Sequence, residues 1–257
     1  MTKILVQLNP DVQPTGSDLA VVNAARRSFG RRSELNEDGT LKTKDKRLIE
    51  FLARGMTADD FQTFLTQMSP LDNNNFPEMG DKLWEWRNTP THDTPFNHGF
   101  ISFEVKAPIF VRAQLVKHEY LILSEFSRRY ITDDVEFYEP GVWRGAAKDK
   151  KQGSSDKPAT LTHTSAKAAR EYKHDAFEYY EDLLLDGVAP EQARMLLPQS
   201  LMTSWTWSGT LGAFAKMCTL RLHPEAQYES RLVAQEVYKH LKDVWPVSAP
   251  ALVEGVK

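Results

Sequence analysis

Residues 116–130, VKHEYLILSEFSRRY, crowd Lys117, His118, Glu119, Glu125, Ser127, Arg128, Arg129 and Tyr130 around a short apolar run at 120–123. If 125–129 is extended, Glu125, Ser127 and Arg129 fall on one side and alternate with Phe126, Arg128 and Tyr130. A hydroxyl and a guanidinium held together can bind a phosphate, and a neighbouring carboxylate can orient a sugar or a flavin. Just upstream, helical spacing puts Gln114, Lys117 and His118 on one face. The same residues also suit a solvated segment carrying helix-type charge pairs, and spacing alone does not separate the two.

A second position bears on that choice. Leu211, Phe214, Ala215, Cys218 and Leu222 form the apolar stripe of a helix over 208–222, and Arg221 falls beside it. A guanidinium there needs a partner, either a protein carboxylate or a bound ligand. Gly209 and Gly212 permit close helix packing as easily as close ligand approach. Cys218 reads as a buried apolar residue, because a reactive thiolate needs an electropositive, partly open site. His92 and His98 frame a turn with no third ligand at a recognisable spacing, so structural or ligand-contacting roles are expected and no metal.

Several familiar chemistries are missing. The chain has no GxGxxG fingerprint and no Walker A loop. The HExxH pattern that His118 and Glu119 begin fails at Ile122, and no GxSxG elbow surrounds Ser124 or Ser127. An enzyme built on this sequence works without an obvious protein nucleophile.

The elements that must position these residues follow from periodicity. A strand is expected at 4–8, then helices at 17–29, 45–55 and 57–68, and a turn-rich loop at 69–80. A strand at 98–110 leads into a helix that Pro108 starts and that runs on through 109–118. The Lys-rich stretch 143–160 reads as a solvated loop, and amphipathic helices follow at about 164–186, 208–222 and 225–244. Strands and helices do not alternate as βαβ units, which favours α+β. The 257 residues, 41% hydrophobic and 26% charged, can bury a core without disulfides. A formal charge of −3 argues against a nucleic-acid polymer as partner, although a few local arginines suffice for one phosphate. A single cysteine excludes an internal disulfide framework, and no apolar run is long enough to span a membrane, so a cytoplasmic protein is expected.

Taken together these pieces resemble the flavin-dependent thymidylate synthases, the ThyX family. The family signature is Arg-His-Arg, seven residues, then Ser; the matching run here is Lys117-His118-Glu119, seven residues, then Ser127. HDTPFNH, FEVKAPIFVRAQ, SEFSRRY, ARMLLP and LRLHPEAQYE look like the family's blocks in the family's order, and AARRSF like its N-terminal block. The resemblance covers most of residues 18–55, 92–140 and 165–245, with 56–91 resembling an insertion in a single ThyX-like catalytic domain over 1–257.

The resemblance implies a central, mainly antiparallel sheet flanked by helices, and a homotetramer with active sites between subunits. Each site would use FAD, NADPH and methylenetetrahydrofolate to methylate dUMP, or a related pyrimidine deoxynucleotide, to dTMP. By position, Gln114, Lys117, Glu125, Ser127, Arg128, Arg129, Arg194 and Arg221 would bind the nucleotide. Arg221 would be the catalytic cation, polarising the uracil ring and favouring loss of its N3 proton. His92, Thr94, Lys117, His118, Glu119, Glu125, Thr210, Gly212 and Lys216 would face the flavin. Here the sequence departs from the family: Lys117 and Glu119 replace arginines, Thr210 and Lys216 replace asparagines, Gly212 replaces an arginine, and Glu225 stands where a histidine is common. An arginine-to-glutamate change reverses a charge and cannot keep a phosphate or flavin-carbonyl contact. The alternatives are a dUMP or dCMP hydroxymethylase on the same fold, and a nucleotide-binding homologue that has lost flavin.

Overall fold

The structure, a computed structural model, describes residues 3–68, 92–130, 135–147 and 153–254. The loop expected at 69–80 and most of the insertion expected at 56–91 lie outside the described residues. The chain divides into two compact units. Unit one comprises Met1–Asn9, Phe103–Trp207 and Arg221–Glu236; unit two comprises Pro10–Ser102, Ser208–Leu220 and Val237–Lys257.

In unit one, β1 (Leu5–Leu8) pairs antiparallel with residues 103–106 of β2 (Phe100–Pro108), Leu5 facing Lys106 and Leu8 facing Phe103. With β6 (Met202–Thr210) and β3 (Leu121–Glu125) they form a four-stranded sheet of order β1-β2-β6-β3, which leaves β1 and β3 as edges. The antiparallel pairing and the mixture of helix and sheet agree with the expected α+β class. β2 is buried on both faces for part of its length, with Ile101, Ser102, Phe103, Val105 and Ala107 at most 1% exposed.

β6 was not expected, the helix being placed from 208. MTSWTWSGT has the period-two burial of a strand, Trp205 and Trp207 pointing inward, and the helix α7 (Leu211–Arg221) starts only after Thr210. The segment expected as a solvated loop also contains strands: β4 (Arg144–Ala146) pairs antiparallel with β5 (Ser154–Pro158). The cause is Arg144, which charge counting reads as solvated. Its Nη2 donates to Glu229 Oε1 at 2.7 Å, its Nε to Ser154 Oγ at 2.7 Å, and its guanidinium lies 4.1 Å from the Tyr228 ring centroid. Pairing and stacking pull the hairpin's base out of solvent. α5 (His163–Leu185) begins at Thr162, whose hydroxyl accepts from the Ser165 amide, and the single turn α6 (Pro190–Ala193) follows it.

Unit two is mainly helical: α1 (Asp18–Arg26), α2 (Thr43–Arg54) and α3 (Ala58–Met68), followed later in the chain by most of α7, the end of α8 (Tyr228–Val244), and α9 (Ser248–Val253). α9 is held at both ends from a distance in sequence. Buried Asp18 accepts from the Val247 and Ser248 amides, each at 2.8 Å, while Arg54 donates to the carbonyls of Ala251 at 2.8 Å and Pro250 at 3.2 Å. Those bonds satisfy backbone groups that a six-residue helix leaves open at each end. Asp45, fully buried, takes Arg26 Nη2 and Ser33 Oγ on its two oxygens at 2.5 Å each, which ties α1 to α2.

Candidate functional site

The residues singled out by sequence fall in both units, and only some of them are brought into contact. In unit one, α4 (Ile109–Leu115) ends sooner than expected. The Val116 amide bonds Arg112 O, the His118 amide bonds Leu115 O, and Tyr120 takes the left-handed φ of 64° that turns the chain into β3. Lys117 and His118 therefore sit in a turn and not on a helix face with Gln114. A non-glycine residue in that region carries strain, which surrounding structure must hold.

The turn brings His118 to Arg221, the last residue of α7. Arg221 Nε donates to His118 Nε2 at 2.9 Å, and Nη2 donates to the Gln114 carbonyl at 2.9 Å. Its protein partners among the described residues are thus a ring nitrogen and a backbone oxygen, not a carboxylate. Burial, and then the Arg221 charge, push the His118 pKa down to about 4. The imidazole is thus neutral near pH 7, accepts through Nε2, and carries its proton on Nδ1. Burial lowers the Arg221 pKa as well, but a guanidinium stays charged under any ordinary condition. Among the described residues no carboxylate pairs with Arg221, so its charge stays available.

The downstream triad is only partly extended. β3 ends at Glu125; Phe126 still bonds the Ser204 carbonyl, and residues 127–130 then form a turn closed by Tyr130 N to Ser127 O at 3.2 Å. Ser127 and Arg129 meet through that turn, Arg129 Nε donating to Ser127 Oγ at 3.3 Å. Because Ser127 Oγ accepts there, its own hydrogen is free to point at a ligand oxygen. Glu125 is held by two residues that spacing did not reveal: Arg112 Nη2 at 2.7 Å and Thr203 Oγ1 at 3.0 Å. Arg128 lies over the Phe126 ring at 5.0 Å, and Arg129 over Tyr130 at 5.1 Å. Arg194 opens a 3-10 turn, is exposed, and donates to the Glu191 carbonyl at 3.3 Å. Among the described residues no polar contact joins it to the Arg221 cluster. Lys117 and Glu119 are exposed.

In unit two, His92 and Thr94 line a cleft of about 1040 Å³ together with Phe29, Arg31, Lys44, Phe51, Pro95 and His98. The Phe51 and His92 rings stack at 6.3 Å, and the His92 amide bonds the Leu52 carbonyl at 3.0 Å. Phe29 is 79% exposed, unusual for a phenylalanine. Exposed cations beside accessible rings, in a cleft of this size, form a donor set that fits a dinucleotide's phosphates and planar bases. Thr210, Gly212 and Lys216 lie beside the same wall. Thr210 Oγ1 donates to Asn97 Oδ1 at 2.7 Å, and Lys216 Nζ pairs with Asp93 Oδ2 at 3.1 Å. Asp93 and Asn97 were not singled out by sequence, although both fall inside HDTPFNH.

Cys218 is fully buried and its pKa is pushed far up by burial, which excludes it as a nucleophile at ordinary pH. Among the described residues no group of His, Cys, Asp and Glu could hold a metal, and no helix is long and apolar enough to cross a membrane.

Comparison with known proteins adds the family. Residues 12–247 match the model of the thymidylate synthase complementing proteins. The chain belongs to this family. A flavin-dependent thymidylate synthase of Thermus thermophilus is 32% identical over 244 residues, 95% of this chain and 74% of that one. One from Gluconobacter oxydans is 32% identical over 246 residues, 93% of this chain and 67% of that one. Among solved structures, a UMP/dUMP methylase, PolB, from Streptomyces cacaoi bound with 5-Br dUMP matches at a TM-score of 0.71 and 26% identity, covering 98% of this chain and 96% of that one. The same methylase bound with 5-Br UMP matches at 0.69. Membership in a thymidylate synthase complementing family of flavin-dependent methyltransferases is therefore established for this chain, as the order of its blocks led one to expect.

Proposed function

We propose that this family member methylates C5 of a pyrimidine nucleoside monophosphate, converting dUMP to dTMP, with methylenetetrahydrofolate as carbon donor and NADPH as reductant through FAD. The observation that carries this reading is Arg221. Its charge is held in place by a neutral imidazole and a carbonyl, with no carboxylate among the described residues to quench it. A fixed, half-buried cation stabilises negative charge developing on a pyrimidine ring without a covalent nucleophile, and the buried Cys218 supplies none. Ser127 and Arg129 suit the phosphate, and Glu125, immobilised by Arg112 and Thr203, suits a sugar hydroxyl.

When bound, the flavin supplies the redox chemistry. On the protein side, His92 and Thr94 with the cations of the unit-two cleft would hold it. Self-association into a homotetramer is consistent with apolar residues left on the surface near the nucleotide cluster: Tyr120 is 76%, Ile122 67% and Tyr130 77% exposed.

The test is a product assay by mass with purified protein, FAD, NADPH, methylenetetrahydrofolate and dUMP. Formation of dTMP that Arg221→Ala abolishes supports the reading; a product heavier by one oxygen, or none with flavin present, overturns it. UMP belongs in the same assay, because the solved relative was captured with both bromo-nucleotides.

A further inference from the structure

Thr210, Gly212 and Lys216 occupy positions at which the resemblance implies direct cofactor contact, yet in unit two the Thr210 and Lys216 side chains bond a turn of the protein itself and that turn lies close over Gly212. The 3-10 turn Thr94–Asn97 follows Asp93, and its Asn97 Nδ2 donates back to the Asp93 carbonyl at 3.1 Å. Asn97 Oδ1 accepts from Thr210 Oγ1 at 2.7 Å, while Thr210 Oγ1 also accepts from the Ala213 amide at 3.2 Å at the start of α7. Asn97 lies so close over Gly212 that a Cβ there would stand 2.5 Å from Asn97 Oδ1. Real Cβ atoms do not approach an oxygen that closely, so any side chain at 212 must displace the Asn97 amide that Thr210 bonds. One turn further along α7, Lys216 reaches Asp93 at 3.1 Å. The turn so fastened carries Thr94 and Pro95, and with His92 and Asp93 it forms one wall of the large cleft. The wall's other attachment is to α2, through His92 N to Leu52 O and the Phe51–His92 stack.

We propose that residues 93–97 and the start of α7 form a clasp that sets this cleft wall, so that Thr210, Gly212 and Lys216 are positioning residues acting through Asn97 and Asp93. The inference rests on the reading that the cleft holds the flavin. It accounts for three of the departures together. A glycine at 212 makes room for Asn97, a threonine at 210 gives Asn97 a donor, and a lysine at 216 meets Asp93. It also means that the Lys216 charge is already spent on Asp93 and does not replace lost positive charge at the cofactor.

The competing view is that Gly212 is small so that a ligand can approach it directly. A double-mutant cycle separates the two. FAD binding to the apoprotein is measured by quenching of flavin fluorescence, with melting temperature alongside, for wild type, Asn97→Ala, Gly212→Ala and the double variant. The clasp predicts that each single change weakens FAD by about tenfold and that the double is no weaker than either, since both break the same contact. Additive losses, about a hundredfold in the double, overturn it, as does a fall in melting temperature with affinity unchanged. If Gly212→Ala does not fold, the cycle is run on the hydrogen bond itself with Asn97→Ala and Thr210→Val. Wild-type protein that binds no FAD overturns the flavin reading and this inference with it; FAD held equally tightly by all the variants overturns the clasp alone.

Discussion

Helix α7 carries two cations whose surroundings are opposite. Arg221 is half-buried, donates to a neutral ring and a carbonyl, and meets no carboxylate among the described residues. Lys216 has a side chain 60% exposed and spends its charge on Asp93. Burying an unquenched charge costs free energy and is kept where the charge does something, whereas an exposed ion pair costs little and contributes little. The contrast matches the two roles proposed above, a cation left open for chemistry at 221 and one that holds structure at 216.

The largest effect that can break the contrast is at Arg221. Arg221→Ala should lower kcat by at least about 10²–10³-fold, the usual cost of removing one donor aimed at developing charge. The helix should remain folded, because Leu211, Phe214 and Met217, each fully buried, hold α7 without it. Arg221→Lys keeps the charge and loses the fork that reaches both His118 and the Gln114 carbonyl, so it should retain a fraction of the rate. Unimpaired turnover in Arg221→Ala with dUMP would remove the residue from the chemistry.

A smaller effect concerns Glu119, exposed in the turn before β3, where the family has arginine. Glu119→Arg reverses a charge and should tighten FAD binding by about three- to tenfold, as expected of one partly exposed charge contact. Unchanged or weaker binding in a titration would mean that position 119 does not serve the cofactor in this chain.

How much of this was legible in the sequence differs between the two clusters for a physical reason. The order of the family's blocks carried the fold and pointed at Arg221, and the apolar stripe Leu211, Phe214, Cys218 showed that Arg221 lies against packed surface. Its partner could not be read, because His118 meets it from a turn more than a hundred residues away in sequence and helical spacing had placed that histidine elsewhere. Glu125 was legible but Arg112 and Thr203 were not, since a contact from a neighbouring helix or across two strands leaves no periodic trace. β6 was legible in the alternation of Trp205 and Trp207 and was passed over for the helix that follows. α9, SAPALV, has no strong helix signal of its own; it exists because Asp18 and Arg54 cap it from α1 and α2. Asn97 and Gly212 illustrate the same limit: each looks like an ordinary turn or helix residue until the other is placed against it.

The pH dependence sharpens the Arg221 side. The His118 pKa of about 4 in the folded chain lies below the ordinary 6.5. The unfolded chain therefore takes up the proton first as pH falls, and the histidine's contribution to stability is full above about 6.5 and is lost progressively down to about 4. Below that, Nε2 no longer accepts and two cations face each other. Wild type should lose melting temperature more steeply over this interval than His118→Gln, which keeps an acceptor and cannot charge. Parallel curves would mean that His118 is not held neutral by its surroundings.

The smallest effect belongs to Lys216, and its smallness is the point. An exposed pair of this kind contributes up to about 1 kcal/mol and is screened by salt. Lys216→Ala should therefore lower the melting temperature slightly at low ionic strength, with the difference from wild type closing as salt is raised. Asp93→Asn should show the same pattern, because removing either partner breaks the same interaction, and the two changes combined should cost no more than one. FAD affinity should follow that salt dependence in both variants, since the clasp acts on the cofactor only through the wall it holds. If Lys216→Ala instead weakens FAD strongly while Asp93→Asn strengthens it, the lysine is a direct phosphate ligand competing with its own carboxylate. The two cations of α7 would then differ in degree of exposure and not in kind.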